Sequence, residues 1–109
     1  MQKIEVTGST VDFFKFQDGD TTVFTFDTSA CQPPEPMVNG MCGLKLISEP
    51  NQRLEMINHK APMGLFPKIE ADFNYEVIDL DDNGKVKVVF SRKEDAKNST
   101  DFTQNSCSG

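Results

Sequence analysis

The sequence predicts a two-layer α/β sandwich, an α+β fold in which a mixed sheet of four to five strands carries two helices on one face. Three observations predict it. Apolar residues alternate near both ends of the chain, as they do in β-hairpins. Between these ends the period changes to that of a helix, returns to that of a strand, and becomes helical again. The element order is therefore β-hairpin, α, β, α, β-hairpin.

The first hairpin is predicted in the runs TVDFFKF and TTVFTFD, which flank Asp18-Gly19. An Asp-Gly pair supplies the positive φ of a tight hairpin turn, and alternating phenylalanines mark one face of each run. Residues 3–7 predict an additional short strand. We expect the strand around residues 11–17 to pair antiparallel with the second run and to cover an otherwise exposed sheet edge.

The first helix is predicted in PEPMVNGMCGLKLI, residues 34–47, where apolar side chains recur at helical spacing. Proline fits the first turn of a helix, whose N–H groups have no intrahelical partner. Gly40 and Gly43 each cost about 1 kcal/mol relative to alanine in a helix interior. We expect these small residues to allow a close approach to the sheet.

The remaining elements are a strand in RLEMINH (53–59), a helix in APMGLFPKIEADF (61–73) and a second hairpin across Asn83-Gly84. Pro67 limits the helix, so its regular part should start near Pro67, after an irregular turn. The strand before the first helix and the strand after it form a β–α–β crossover, which makes them parallel. Both strands therefore end at the same edge of the sheet.

One domain is expected from 109 residues, 37% of them hydrophobic. We expect residues 1–21 to extend the sheet, residues 22–93 to form the principal domain, and residues 94–109 to be a disordered acidic and polar tail. A net charge of −6 argues against nucleic acid or an anionic membrane as a partner. Three cysteines form no disulfide framework, and neither a membrane span nor a signal peptide is recognised, so we expect a cytoplasmic protein with reduced thiols.

The segment DTSACQPPEP, residues 27–36, resembles the D-x-x-G-x-x-C-P-x-P pattern of the TusA/SirA-like superfamily, whose members are small sulfur carriers of βαβαββ order. Aligned without gaps, Asp27 matches the aspartate of the pattern and Ala30 replaces its glycine. Pro34 and Pro36 match the two prolines. Pro33 occupies the position at which the family carries its persulfide cysteine.

PPEPM at residues 33–37 and NHKAPMGLFPKIE at residues 58–70 are similar to a branch of this superfamily that lacks the cysteine. The resemblance covers about residues 22–93. It implies a TusA-like domain of bacterial origin, and it implies no settled activity because the branch has none.

Cys31 lies two residues upstream of the position of the persulfide cysteine. A helix dipole lowers the pKa of a thiol only within its first turn, so we expect Cys31 to be an ordinary loop thiol. A sulfur-relay or redox carrier that uses Cys31 as its persulfide-bearing thiol is the alternative.

His59, the only histidine, ends the strand after the first helix and should share a rim with the helix entry. Lys60 and the helix N-termini favour an anion or an acidic group there, and a structural role of His59 at the strand end is the alternative. One His, one Cys and one Glu make no persuasive metal site, and the calcium-like segment Asp79–Gly84 lacks its distal carboxylate. The candidate binding residues on the rim are Pro33, Pro34, Glu35, Pro36, His59, Lys60 and Met63.

The leading functional hypothesis is a non-enzymatic binding module whose rim engages another protein or a small ligand, without a metal or cofactor. Its basis is that the residues around the helix entry match the family motif, whereas Pro33 stands at the position of the family's persulfide cysteine. A sulfur or redox carrier on Cys31 and a metal-handling protein on His59 are the alternatives.

Overall fold

The computed structural model describes residues 1–80, 84–96 and 100. This part of the chain forms six strands and two helices. The predicted fold class is confirmed, with six strands in place of the four to five expected. The elements are β1 (Gln2–Ile4), β2 (Phe13–Asp18), β3 (Thr21–Asp27), α1 (Glu35–Leu44), β4 (Gln52–Asn58), α2 (Phe66–Ile69), β5 (Phe73–Asp79) and β6 (Val86–Arg92).

The strands form one mixed sheet in the order β1-β2-β3-β4-β6-β5. β3 and β4 are parallel, as the crossover through α1 requires, and every other neighbouring pair is antiparallel. The predicted antiparallel pairing of residues 11–17 is confirmed, because Phe13 opposes Phe26 across β2 and β3. The additional strand is β1, which pairs with β2 and places Gln2 opposite Lys15.

Both helices pack on the same face of the sheet, and the core lies between the two layers. The rings of Phe13 and Phe26 stack there with their centroids 4.6 Å apart. The main buried side chains of this core come from the sheet and from both helices: Phe13, Phe26, Leu54, Met56, Val88, Phe90, Met41, Leu44, Phe66 and Ile69. Because the helices contribute to a single cluster, their apolar faces point to the same side of the sheet.

α1 approaches the sheet closely at Gly43, as expected from the sequence, whereas Gly40 lies close to the start of α2. A Cβ atom on Gly43 would lie 2.8 Å from both methyl groups of Leu54 and 3.2 Å from the ring of Phe13. A Cβ atom on Gly40 would lie 3.1 Å from one methyl group of Leu65. Gly43 therefore allows α1 to lie close to the sheet, and Gly40 allows it to lie close to α2.

α2 is one turn long. It begins next to Pro67, where the regular part of the predicted helix starts, but it ends before Phe73. Helical spacing links Leu65, Ile69 and Phe73, but Phe73 is the first residue of β5. The chain leaves the helix because Asp72 donates its N–H to the carbonyl of Ile69, a tighter turn than that of an α-helix. Neither helix in the described residues is long and apolar enough to cross a membrane.

The second hairpin is formed by β5 and β6, which pair from Phe73 with Arg92 to Asp79 with Val86. Gly84 has a φ of 78°, the positive value that the predicted turn requires of it. Asn83 lies outside the described residues, and so does most of the predicted tail, residues 97–99 and 101–109.

Candidate functional site

A cavity of about 290 Å³ opens beside the ends of the parallel strands β3 and β4. This volume is at the small end of the range of ligand pockets, roughly 300 to 1,000 Å³. Two chain segments form its walls. The entry to α1 supplies Pro33, Pro34, Pro36 and Met37, and the connection from β4 to α2 supplies Asn58, His59, Lys60, Ala61, Pro62, Met63 and Gly64.

The first wall follows from the prolines at the start of α1. Pro34 is the N-cap residue, and its carbonyl accepts the N–H of Val38, the first α-helical hydrogen bond. Pro36 lies in the first turn, where its lack of an N–H leaves no helical hydrogen bond unmade. The Pro33–Pro34 peptide bond is cis. Proline rings thus give this wall an apolar surface with almost no hydrogen-bond donors.

The second wall is held by two tight backbone turns. Met63 donates its N–H to the carbonyl of Ala61, and Leu65 donates its N–H to the carbonyl of Pro62. Pro62 is buried, whereas Met63 is 70% exposed at the cavity. A flexible, polarisable methionine side chain can adapt to ligands of different shape.

A buried polar pair, Thr28 and Asn58, joins the ends of β3 and β4 next to the cavity. Thr28 directly follows β3, and its N–H donates to the carbonyl of Ile57 over 2.8 Å. The hydroxyl of Thr28 donates to Oδ1 of Asn58 over 3.1 Å, and Nδ2 of Asn58 donates to the carbonyl of Lys60 over 3.0 Å. Both polar side chains are buried, so these bonds fix the strand ends relative to each other.

Sequence reasoning missed Thr28 and Asn58. The available signal is the alternation of β4, in which Leu54, Met56 and Asn58 all point into the core. A polar side chain at the last inward position of a strand needs a partner, and the loop after the parallel neighbouring strand supplies it.

Six of the seven predicted binding residues line the cavity: Pro33, Pro34, Pro36, His59, Lys60 and Met63. His59 and Lys60 are exposed at the end of β4, which places two basic side chains beside apolar walls. These six residues therefore lie together beside the ends of β3 and β4, and their role in binding stays a prediction. Their chemistry suits an apolar group that carries a negative charge.

Glu35 is the exception, because it does not line the cavity. Its Oε1 accepts the hydroxyl of Thr10 over 2.9 Å, and its carbonyl accepts Nδ2 of Asn39 over 2.8 Å. The fully buried Asn39 also accepts the N–H of Thr10 at its Oδ1. Glu35 thus anchors the segment before β2 to α1. The sequence pattern gave no sign of this contact, because the two segments are 25 residues apart.

Cys31 also lies outside the cavity lining, in the loop before α1. Its thiol is free and partly buried, and its N–H donates to the carbonyl of Thr28 over 2.9 Å. Burial raises the pKa of this thiol, and the negative charges of Glu35 and Asp27 raise it further. A sulfur carrier needs the opposite, a thiolate stabilised at neutral pH. The electrostatics therefore oppose the alternative in which Cys31 carries a persulfide.

Cys42 corrects the expectation that all thiols are reduced. It is buried in α1 and is disulfide-bonded.

The described residues contain no group of three or more His, Cys, Asp or Glu side chains close enough to hold a metal ion. The calcium-like segment Asp79–Gly84 lies partly outside the described residues.

Comparisons with protein-family models, with curated proteins and with solved structures find no match to this chain. The fold and the site define a class on their own: a two-layer α/β domain with a small apolar cavity at the ends of its parallel strands. The resemblance to TusA-like domains stays a prediction.

Proposed function

We propose that this chain is a non-enzymatic binding module on a TusA-like domain, and that its cavity holds the apolar part of a small acidic ligand. The observation that carries the proposal is the juxtaposition of proline and methionine walls with the basic side chains of His59 and Lys60. The protein has a net charge of −6, so a local basic pair gives this rim a preference that the rest of the surface opposes.

The TusA-like part of the proposal is supported by the order of elements from β3 to β6, which is β-α-β-α-β-β. Pro33 precedes α1 at the position where the resemblance puts a persulfide cysteine, and its ring has no group that ionises. Without a nucleophile at the helix entry, the site retains shape and charge as its means of recognition.

The affinity expected of such a site is weak. Removing about 100 Å² of apolar ligand surface from water contributes about 2.5 kcal/mol. An exposed ion pair with Lys60 adds about 0.2 to 1 kcal/mol, because water and salt screen it. The sum corresponds to a Kd in the millimolar range.

The test is a titration of the isotope-labelled full chain followed by amide chemical shifts, with octanoate as the probe, octanol as its neutral match and acetate as its charge match. We expect octanoate to shift the amides of residues 58–61, 63 and 64, octanol to shift the same amides more weakly, and acetate to shift none. Absence of localised shifts with octanoate at about 10 mM, above the estimated Kd, contradicts the proposal.

Two kinds of variant separate the contributions of charge and shape. Lys60→Ala with His59→Ala should bring the affinity for octanoate down to that for octanol. Gly64→Leu should abolish the binding of both octanoate and octanol. A Cβ atom added at Gly64 would lie 3.3 Å from Cε of Met37, so the longer leucine side chain would fill the cavity. Thermal unfolding of each variant checks that the fold is intact.

A further inference from the structure

The cavity beside the ends of β3 and β4 is lined by a narrow set of apolar side chains. Four of its lining residues are prolines and two are methionines: Pro33, Pro34, Pro36, Pro62, Met37 and Met63. None of the described lining residues carries an aromatic ring, although the chain contains nine phenylalanines and one tyrosine. The lining therefore offers C–H groups and sulfur atoms, and it supplies no phenyl ring of its own.

An aromatic ring complements both of these groups. The face of such a ring carries a partial negative charge and its edge a partial positive charge. The face attracts the C–H groups of proline, because the carbons bonded to the amide nitrogen are electron-poor. Thioether sulfur also makes favourable contacts with aromatic rings, often at the ring edge. A saturated ring has neither property and gains only from the removal of its surface from water.

The size and rigidity of the cavity favour one ring over a flexible chain. Roughly 150 Å³ is enough for benzene in an apolar protein cavity, so about 290 Å³ holds one ring and a short arm. Proline rings fix φ on both walls, and the N–H of Met63 donates to the carbonyl of Ala61 over 2.9 Å. A phenyl ring has no internal rotation to lose in such a site, whereas an alkyl chain loses several.

Met37 and Met63 bring sulfur to the cavity from different walls. A Cβ atom added at Gly64 would lie 3.3 Å from Cε of Met37, so the thioether of α1 reaches the second wall where glycine leaves space. Met63 precedes this glycine and is 70% exposed, so its flexible side chain can close over a ligand. One half-buried and one exposed thioether therefore line the cavity beside Gly64.

The charges around the cavity suit a single carboxylate on a short arm. The chain contains 17 Asp and Glu residues, yet none is among the described lining residues, whereas His59 and Lys60 are. Nδ2 of Asn58 donates to the carbonyl of Lys60 over 3.0 Å, which fixes the backbone from which the lysine side chain extends. The arm must be short, because Lys60 lines the same small cavity as the prolines.

We propose that the ligand of this cavity is a small aromatic carboxylic acid, whose ring lies between the prolines and the thioethers and whose carboxylate lies beside Lys60. The inference rests on the proposed function and narrows it, because the apolar part of the ligand becomes an aromatic ring. Burial of apolar surface alone predicts the opposite order, since a cyclohexyl group has more apolar surface than a phenyl group. Tighter binding of the phenyl compound therefore reports the chemistry of the ring.

The test is a titration of the full chain with phenylpropionate, and with cyclohexylpropionate as its saturated match, followed by backbone amide and methionine methyl signals. We expect phenylpropionate to bind about two- to tenfold tighter, the range that one sulfur–aromatic contact gives. The methyl signals of Met37 and Met63 should shift more with phenylpropionate, because a ring current acts on nearby nuclei. Those of Met41 and Met56, which are buried and do not line the cavity, should stay in place.

Two variants separate the contribution of sulfur from that of charge. Met63→Leu keeps an apolar side chain of similar volume, so it should lower the preference for phenylpropionate and leave the affinity for cyclohexylpropionate unchanged. Lys60→Gln is the matched control, because it should weaken both acids and keep their ratio. A peptide that ends in phenylalanine presents the same ring and carboxylate, and it should bind more weakly than the free acid. Thermal unfolding checks that each variant is folded.

The outcomes distinguish this inference from the proposed function. Equal or tighter binding of cyclohexylpropionate would overturn the aromatic assignment and leave the proposed function standing. So would shifts of the cavity amides with octanoate and with neither ring compound, or an unchanged ratio in Met63→Leu. Tighter binding of the peptide would overturn the assignment to a free acid. If octanoate and both ring compounds leave the cavity amides unshifted, the proposed function fails and the inference fails with it.

Discussion

Gly43 offers a direct test of how α1 packs on the sheet. Gly43→Ala adds one methyl group, which in an exposed helix interior stabilises a protein by about 1 kcal/mol. Here the added carbon would lie 2.8 Å from both methyl groups of Leu54 and 3.2 Å from Phe13. Leu54 is fully buried and Phe13 is 1% exposed, so neither side chain can move aside into solvent. The helix must lift, or the core must repack.

The magnitude follows from the two opposing effects. Inserting a methyl group into a well-packed core costs typically 1–3 kcal/mol, which exceeds the gain in helix propensity of about 1 kcal/mol. We therefore expect Gly43→Ala to lower the free energy of unfolding by about 1 kcal/mol. For a domain of this size that corresponds to a fall in Tm of about 4–8 °C.

Urea and thermal unfolding of wild type and variant measure this difference, and Gly40→Ala is the matched control. A Cβ atom on Gly40 would lie 3.1 Å from a single terminal methyl group of Leu65, which needs a smaller adjustment. The control should therefore be near neutral or slightly stabilising. If Gly43→Ala raised the stability by about 1 kcal/mol, as at an exposed helical glycine, the close packing of α1 described here would be refuted.

Three further predictions concern polar groups. Asn39→Ala should lower the free energy of unfolding by about 2 kcal/mol in urea titrations, because it removes a fully buried amide that bonds α1 to the segment before β2. Alkylation of Cys31 should reach half of its maximal rate at a higher pH than alkylation of an ordinary thiol does, because burial and nearby carboxylates raise the pKa of Cys31. Glu35→Gln should lower this midpoint pH, and Asp27→Asn should lower it less. No fall with Glu35→Gln would contradict the assigned cause. Glu55→Ala should cost about 1 kcal/mol or less, and less at high salt, because the carboxylate pairs with basic side chains on the solvent face.

The fold was largely predictable because its elements carry strong periodicity. Alternation located β2, β3 and β4, and the crossover through α1 made β3 and β4 parallel. The length of α2 was not predictable, because Leu65, Ile69 and Phe73 keep helical spacing although Phe73 already belongs to a strand. An inward side chain satisfies either period at such a boundary, and only the tertiary path of the chain decides which one is used.

The rim was predictable from topology alone, since parallel strands end at the same edge and bring His59 near the entry to α1. The direction of the Glu35 side chain was not predictable, because its hydrogen-bond partner, the hydroxyl of Thr10, comes from a segment 25 residues away. The same applies to Thr28 and Asn58, whose pairing depends on the register of two strands. Local sequence determines which residues reach a rim, and long-range contacts determine which way their side chains point.

The prolines at the entry to α1 remove most of the capacity of this helix N-terminus to bind an anion. The first four N–H groups of a helix usually supply that capacity. At this helix Pro34 and Pro36 have no N–H, and the N–H of Glu35 donates to the carbonyl of Gln32. The expected contribution of the helix N-terminus to anion binding is therefore small. Any preference of the cavity for an acidic ligand has to come from His59 and Lys60, which is why removing these two side chains should erase the difference between octanoate and octanol.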